Sequence, residues 1–484
     1  MTQTSRCATS LEEITLSKDL LQKSAVEVGK MIADKEISPV EVTQSLLDHA
    51  HALNDKVNAY VSFRDDKALA EAKQAEKEIQ AGQARGPLHG VPMAIKDNLY
   101  VGGETTTMAS KIHKDFVPKE DASSVARMKD AGIVLTGKLN MHEYAWGIDN
   151  NNPHFGAAHN PWDLEKTPGG SSGGSGAAVA ADMSFSTLGT DTAGSIRIPS
   201  SACGLVGLKP THGRVPKDGC FPLAWTLDHI GPMSKTVEDA AALLQVIAGF
   251  SPKDPTAVDV PVGDYLSNLD RDPSELIIGV EEDYFFRAVD SEIERLVRAQ
   301  IDALVEQGAQ LKTVKIPALA VSEWAELAIS LSEASAIHHN DLVNRADDFG
   351  ADIRFLFELG ELFSSVDYLQ AQQARRQIKQ EFASALTDVD VIITPTLPVT
   401  PPKLGSATAD LNGEQVDLID NFIRYTGPSN LTGLPTLSVP AGLKDGMPVG
   451  LQVIGRAFDE QTLLQVGRMV EKNDPLGGKR APVK

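Results

Sequence analysis

The stretch from residue 167 to 215 constrains this chain more tightly than any other part of it. Its glycines and serines cannot build an apolar core of their own. Taken alone, the run Pro168-Gly169-Gly170-Ser171-Ser172-Gly173-Gly174-Ser175-Gly176 therefore reads as a flexible linker. Its neighbours argue otherwise. Ala177 to Ala181 suits a helix, Ser184 to Leu188 suits a short strand, and Trp162 lies just upstream. Small residues interleaved with regular elements belong where backbone packs closely inside a folded unit.

Three side chains in and around this stretch invite chemistry. In Thr190-Asp191-Thr192-Ala193-Gly194-Ser195-Ile196-Arg197, a strand runs into a turn of small residues and then a serine. Successive N–H groups in such a turn can face one concavity. The amides of Thr192, Ala193, Gly194 and Ser195 could then hold an oxyanion while Ser195 attacks. The plainer alternative is a tight turn with a satisfied serine. Gly169-x-Ser171-x-Gly173 spells a nucleophile elbow, but that motif needs a strand directly before its serine. Asp163 to Pro168 is charged and ends in proline, so it cannot supply one. The third is Lys96, at the end of the apolar run Gly90 to Ile95. A lysine there ordinarily snorkels to water. To act as a base it must be neutral, and at a pKa of ~10.4 less than about 0.1% is neutral at pH 7. Burial that lowered it to ~7.5 would leave roughly a quarter competent, at a cost of about 4 kcal/mol.

Elsewhere, helical and strand signals alternate, which predicts an α/β layered fold with a mixed sheet. Ser38-Pro39-Val40-Glu41 is a capping box, and Thr236 caps a helix ending near Gly249. Gly132 to Gly137, Val389 to Thr394 and Val449 to Ile454 read as strands, residues 250–275 as a surface excursion, and 403–417 as a mobile polar segment. With 484 residues, 42% apolar and 23% charged, the chain can bury a sizeable core. Its net charge of −21 repels phosphate backbones, and Arg375, Arg376 and Lys379 read as a solvated helix face. No nucleic-acid partner is expected on that ground.

Cys7, Cys203 and Cys220 have neither disulfide nor zinc spacing, and the apolar surroundings of Cys203 suit a buried structural thiol. His142-Glu143 begins like HExxH but lacks the second histidine, so no metal is expected. The glycine run lacks the Gly-Lys-Ser/Thr ending of a phosphate loop. The start MTQTSRCATSLEEITL has no signal-peptide core, and no run reaches the ~18 apolar residues of a membrane span. The expected location is the cytoplasm.

Together these segments resemble the amidase signature family. The resemblance rests on Gly86-Pro-Leu-His-Gly-Val-Pro-Met-Ala-Ile-Lys96-Asp-Asn, Gly137-Lys-Leu-Asn-Met-His-Glu143, Asn160-Pro-Trp162 and Gly169-Gly-Ser-Ser-Gly-Gly-Ser175. It continues through Gly189-Thr-Asp-Thr-Ala-Gly-Ser195-Ile-Arg197 and Cys203-Gly-Leu-Val-Gly-Leu-Lys-Pro210. It implies one α/β/α domain around a twisted mixed sheet, spanning 1–484. The parts would be a helical start to about 85, a core at about 86–250, an excursion at about 250–380 and a core return at about 385–475. It further implies a Ser–Ser–Lys relay without cofactor: Lys96 takes a proton from Ser171, Ser171 from Ser195, and Ser195 forms an acyl-enzyme over the oxyanion hole. Ser172 is expected to hydrogen-bond the lysine, and Asp191 and Arg197 to hold the loop.

Within that family the chain is similar to the A subunits of glutamyl-tRNA amidotransferases, which bind glutamine through an arginine and an aspartate. Counting from Asn430-Leu-Thr-Gly-Leu-Pro435, those positions fall near Phe355 or Leu356, with Arg354 just outside, and near Ile423. Apolar anchors would leave the charged ends of an amino acid desolvated and unpaired. The preferred reading is thus a stand-alone amidase, monomer or homodimer, acting on a small-molecule amide, with ester, anilide and carbamate admitted by the same chemistry. Phe221, Trp225, Phe422, Ile423 and Tyr425 are the candidate pocket lining. The alternative is an amidotransferase component that releases ammonia from glutamine.

Overall fold

Ser38 accepts the Val40 N–H while Glu41 returns a bond to the Ser38 backbone, so the helix Pro39–Val57 starts at its capping box. Thr236 likewise caps the helix Val237–Ile247 by accepting the Asp239 N–H. The computed structural model describes residues 19–483. Cys7 and the segment on which the expected lack of a signal peptide rests lie outside the described residues.

The strands are, in chain order, β1 (Tyr60–Phe63), β2 (Pro92–Lys96), β3 (Val134–Leu139), β4 (Ser186–Asp191), β5 (Val206–Lys209), β6 (His229–Ser234), β7 (Ile277–Val280), β8 (Gln310–Thr313), β9 (Val391–Pro395), β10 (Thr408–Leu411), β11 (Glu414–Asp417), β12 (Thr436–Lys444) and β13 (Met447–Gly455). Eleven of them form one mixed sheet in the order β1-β3-β2-β4-β6-β5-β12-β13-β9-β7-β8, flanked by helices in the expected α/β/α layering. β2 and β13 are buried along their whole length. That is why they read as continuous apolar runs.

β2 runs parallel to both β3 and β4, with Ile95 opposite Leu188. The parallel pairing brings the carboxyl ends of β2 and β4 side by side, and with them Lys96 and Thr190-Asp191. A crevice outside the carboxyl ends of strands is where open α/β sheets carry their sites. Four helices pack on one another over this end: Ser322–Arg345, Ala351–Gly360, Ser365–Ala385 and Leu418–Thr432. Among the described residues, no helix is long and apolar enough to cross a membrane.

One local expectation needs correction, and one segment gains detail. Within the polar segment 403–417, β10 and β11 pair as an antiparallel hairpin, turning at Asn412-Gly413 with positive φ at both. Asn-Gly is the pair such a turn favours. Arg375 does not face solvent with Arg376 and Lys379. It donates to the Leu431 carbonyl at 2.7 Å and to Thr226 Oγ1 and O at 2.9 and 2.8 Å. Packing of its helix against Leu418–Thr432 overrides the charge pattern.

Candidate active site

Lys96 ends β2 inside the protein, completely buried. Its Nζ donates to Ser171 Oγ at 2.8 Å and to Thr190 Oγ1 at 2.7 Å. Burial drives its pKa down to about 7, against the weaker pull of Cys220, Asp191 and Asp228. Two other buried lysines have different partners. Lys138 donates to the Leu99 carbonyl and to Thr106 Oγ1 at 3.1 Å and lies 3.6 Å from Asp97, while Lys209 donates to the carbonyls of Pro210 and Leu434 and lies 3.2 Å from His229 Nε2. Both described partners of Lys96 are hydroxyls, which can donate or accept, so it can lose its proton without stranding either.

Ser171 is completely buried; Ser195 is 9% exposed and reaches the wall of an open cavity. No strand precedes Ser171, and the helix Gly173–Ala180 begins two residues after it. Ser172 does not hold the lysine, contrary to expectation. Its hydroxyl donates to the Thr190 carbonyl at 3.3 Å and accepts the Thr190 N–H at 3.4 Å. The lysine contact falls instead to the Thr190 side chain, to which its place in the motif gives no role.

The loop after β4 is held from within. Asp191 pairs with Arg197 at 3.0 Å, both fully buried, and accepts the N–H groups of Gly194 at 2.9 Å and Ile196 at 3.1 Å. Arg197 holds its carboxylate down to about 2 in spite of burial. Because the Gly194 N–H is donated inward, Gly194 is a poor member of the anion cradle expected at 192–195. Among the described residues, the amides of Thr192, Ala193 and Ser195 have no intramolecular acceptor. Gly194 has another necessity: at φ +136° a Cβ would meet Thr426 Oγ1 at 2.3 Å. The helix Leu418–Thr432 and β13 lock the loop from outside. Thr426 donates to the Ala193 carbonyl, Asn430 bridges Arg197 at 2.6 Å and Asp191 at 2.8 Å, and Gln452 accepts from Arg197 at 3.1 Å. Thr426 and Gln452 carried no signal in the sequence, because they act more than 200 residues away from the loop they hold.

The cavity, about 540 Å³, is bounded by Thr192, Ala193, Ser195, Ile198, Leu327 and Ile423, among others. Of the five expected lining residues only Ile423 faces it. Phe422 and Tyr425 point into the core, Tyr425 donating to the Ala288 carbonyl, because one helical turn cannot present 422, 423 and 425 to the same side. Phe221 packs among Tyr144, His113 and His338, and Trp225 is 44% exposed away from the cavity. At the counted arginine position, Leu356 lines the cavity and Phe355 is 63% exposed, while Arg354 pairs on the surface with Asp347 and Glu358. Among the described residues, the cavity wall contains no lysine or arginine. Its basic group is His142, for which burial opposes charge but the flanking Asp149 and Asp352 win and push it up to about 9.

A family model described as Amidase matches residues 41–464. The A subunit of the glutamyl-tRNA(Gln) amidotransferase of Carboxydothermus hydrogenoformans is 41% identical over 479 residues, covering 94% of this chain and 98% of that protein. Its counterpart from Thermotoga maritima superposes with a TM-score of 0.81 at 33% identity, over 96% of this chain and 98% of the other. A protein from a vestigial complex bearing on the origins of an s-triazine catabolic enzyme superposes with a TM-score of 0.90 at 33% identity, over 96% and 100%. These relatives correct one expectation. A chain with only a small-molecule substrate and no nucleic-acid connection does not fit relatives that are, by name, components of a tRNA-directed amidotransferase. The charge of a single chain describes what it can grip alone, and says nothing of an assembly.

Proposed function

Because this chain belongs to the amidase family, which acts on amide C–N bonds, we propose that it releases ammonia from glutamine through an acyl-enzyme on Ser195, as the A subunit of a glutamyl-tRNA amidotransferase. The observation that carries the chemistry is the buried Lys96 whose described partners are both hydroxyls. What supports the amidotransferase role is resemblance along 98% of a relative's length.

With a pKa near 7, about half of the Lys96 side chains are neutral at pH 7, against less than about 0.1% for an ordinary lysine. Neutral Lys96 accepts the Ser171 proton as Ser171 accepts that of Ser195, and Ser195 Oγ attacks the carboxamide carbon. The oxyanion rests on the N–H groups of Thr192, Ala193 and Ser195. The nitrogen receives its proton back through Ser171, the C–N bond breaks and ammonia leaves. Water, activated by the same relay, then hydrolyses the ester to glutamate. Asp191 and Arg197 position the loop and touch no reacting atom.

The lack of lysine and arginine among the described residues of the cavity wall favours a second reading, an amidase whose acyl group carries no carboxylate. Ammonia release from glutamine and from butanamide, by wild type and Ser195→Ala, tests both. The expected result is turnover of glutamine that falls about 10⁴-fold or more in Ser195→Ala. Turnover of butanamide without glutamine would select the second reading. Full activity in Ser195→Ala would remove Ser195 as nucleophile.

A further inference from the structure

Glu326 is a charged residue in an unexpected place. It lies on the helix Ser322–Arg345, is 1% exposed, and lines the cavity that Ser195 opens into. One carboxyl oxygen accepts from Ser330 Oγ at 3.1 Å, one turn along the same helix. The other, Oε2, is buried with no partner among the described residues. Neither neighbouring cation serves it: Arg197 is held by Asp191, Asn430 and Gln452, and Arg375 by Thr226 and the Leu431 carbonyl. Burial accordingly pushes its pKa up to about 8. The opposite helix makes room for it at Gly427, where a Cβ would come within 3.3 Å of Glu326 Cγ.

Asp191 is a buried carboxyl satisfied by its neighbours, whereas Asp239 leaves one oxygen without a partner among the described residues but lies away from this cavity. A carboxyl that leaves an oxygen unpartnered on a cavity wall is unstable until something arrives with a proton to share. The surrounding wall limits what that is. Among the described residues it carries Asp149, Glu323, Asp352, Asp417 and Asp420 with only His142 as a basic group, so it favours a cationic group.

We infer that Glu326 is a specificity-determining residue that receives a primary ammonium carried on the acyl portion of the substrate. The inference rests on the reading that this cavity holds the acyl group during amide cleavage at Ser195. For glutamine the group would be its α-ammonium; for other donors, the terminal amine of an aminoacyl amide.

The test uses a square of carboxamides that adds and removes charges on one skeleton: glutamine, 4-aminobutanamide, glutaramate and butanamide. For the full-length chain, kcat/KM should favour 4-aminobutanamide over butanamide, and glutamine over glutaramate, by about tenfold or more. Glu326→Leu should bring both ratios close to one. Glu326→Gln keeps the shape, should lower both ratios several-fold, and carries the test if the leucine variant does not fold. Ratios near one in wild type, or ratios kept in the variants, would overturn the inference. Calorimetric binding of 4-aminobutanamide and butanamide to Ser195→Ala, with and without Glu326→Gln, separates this inference from the reading beneath it. An ammonium preference in binding that Glu326→Gln abolishes, without any turnover, would refute amide cleavage and leave the subsite standing. Turnover without preference would do the reverse.

Discussion

The floor and the wall of the same cavity treat buried charge in opposite ways. On the floor, Asp191 and Arg197 satisfy each other and are tied to Asn430, Gln452, Thr426 and the loop amides. On the wall, Glu326 has one weak partner from its own helix and a second oxygen with none among the described residues. A fully satisfied network holds backbone still, which suits N–H groups that must meet an oxyanion without reorganising. An incompletely satisfied group stores its interaction for a ligand. The contrast separates positioning residues from selecting ones without reference to conservation.

Stability measurements break this comparison most directly. Arg197→Met should destabilise the chain by about 3–5 kcal/mol in denaturant titration, because it leaves Asp191 charged, buried and unpaired. A loss below about 1 kcal/mol would mean the floor is not held by this pair. The next largest effect is on rate. Lys96 has a lowered pKa, so its protonated, inactive form dominates below about pH 7. Then kcat/KM should rise nearly tenfold per pH unit below 7 and level off above it. A profile that is flat between pH 5 and 8 would remove Lys96 as the base.

The smallest effect is the most discriminating. Glu326→Leu should be neutral or raise stability by about 1 kcal/mol, opposite in sign to Arg197→Met. Its pH dependence is also defined. Glu326 has a raised pKa, so the folded state holds a proton that the unfolded state releases between about pH 4.5 and 8. Its contribution to stability is therefore full at low pH and lost as pH rises through that window. Wild type should lose stability relative to Glu326→Gln across it, measured by thermal melts at matched pH. The reverse slope would mean that Glu326 is paired.

Lys96 and Ser171, 75 residues apart and in contact at 2.8 Å, were brought together only by the family resemblance. Asp191, Ser195 and Arg197 were legible because they are local, lying within one short loop. Capping boxes were legible for the same reason. The pocket lining was not: of five aromatic and aliphatic candidates only Ile423 reaches the cavity. Apolar character does not say which side of a helix faces a core and which faces a cleft, since both remove it from water. Arg375 misled through a charge pattern that its partner helix overrode.

Local sequence by itself determined the alternation of helices and strands and the capped helix starts, because periodicity and capping act over a few residues, while the grouping of Lys96, Ser171 and Ser195 was implied by the family resemblance. Tertiary structure alone decided that Thr190 rather than Ser172 holds Lys96, that the Gly194 amide turns inward, and that Glu326 faces the nucleophile's cavity. These depend on helices and strands up to about 250 residues apart meeting at one sheet end. No short-range pattern encodes such meetings, since they are settled by the packing of the whole chain.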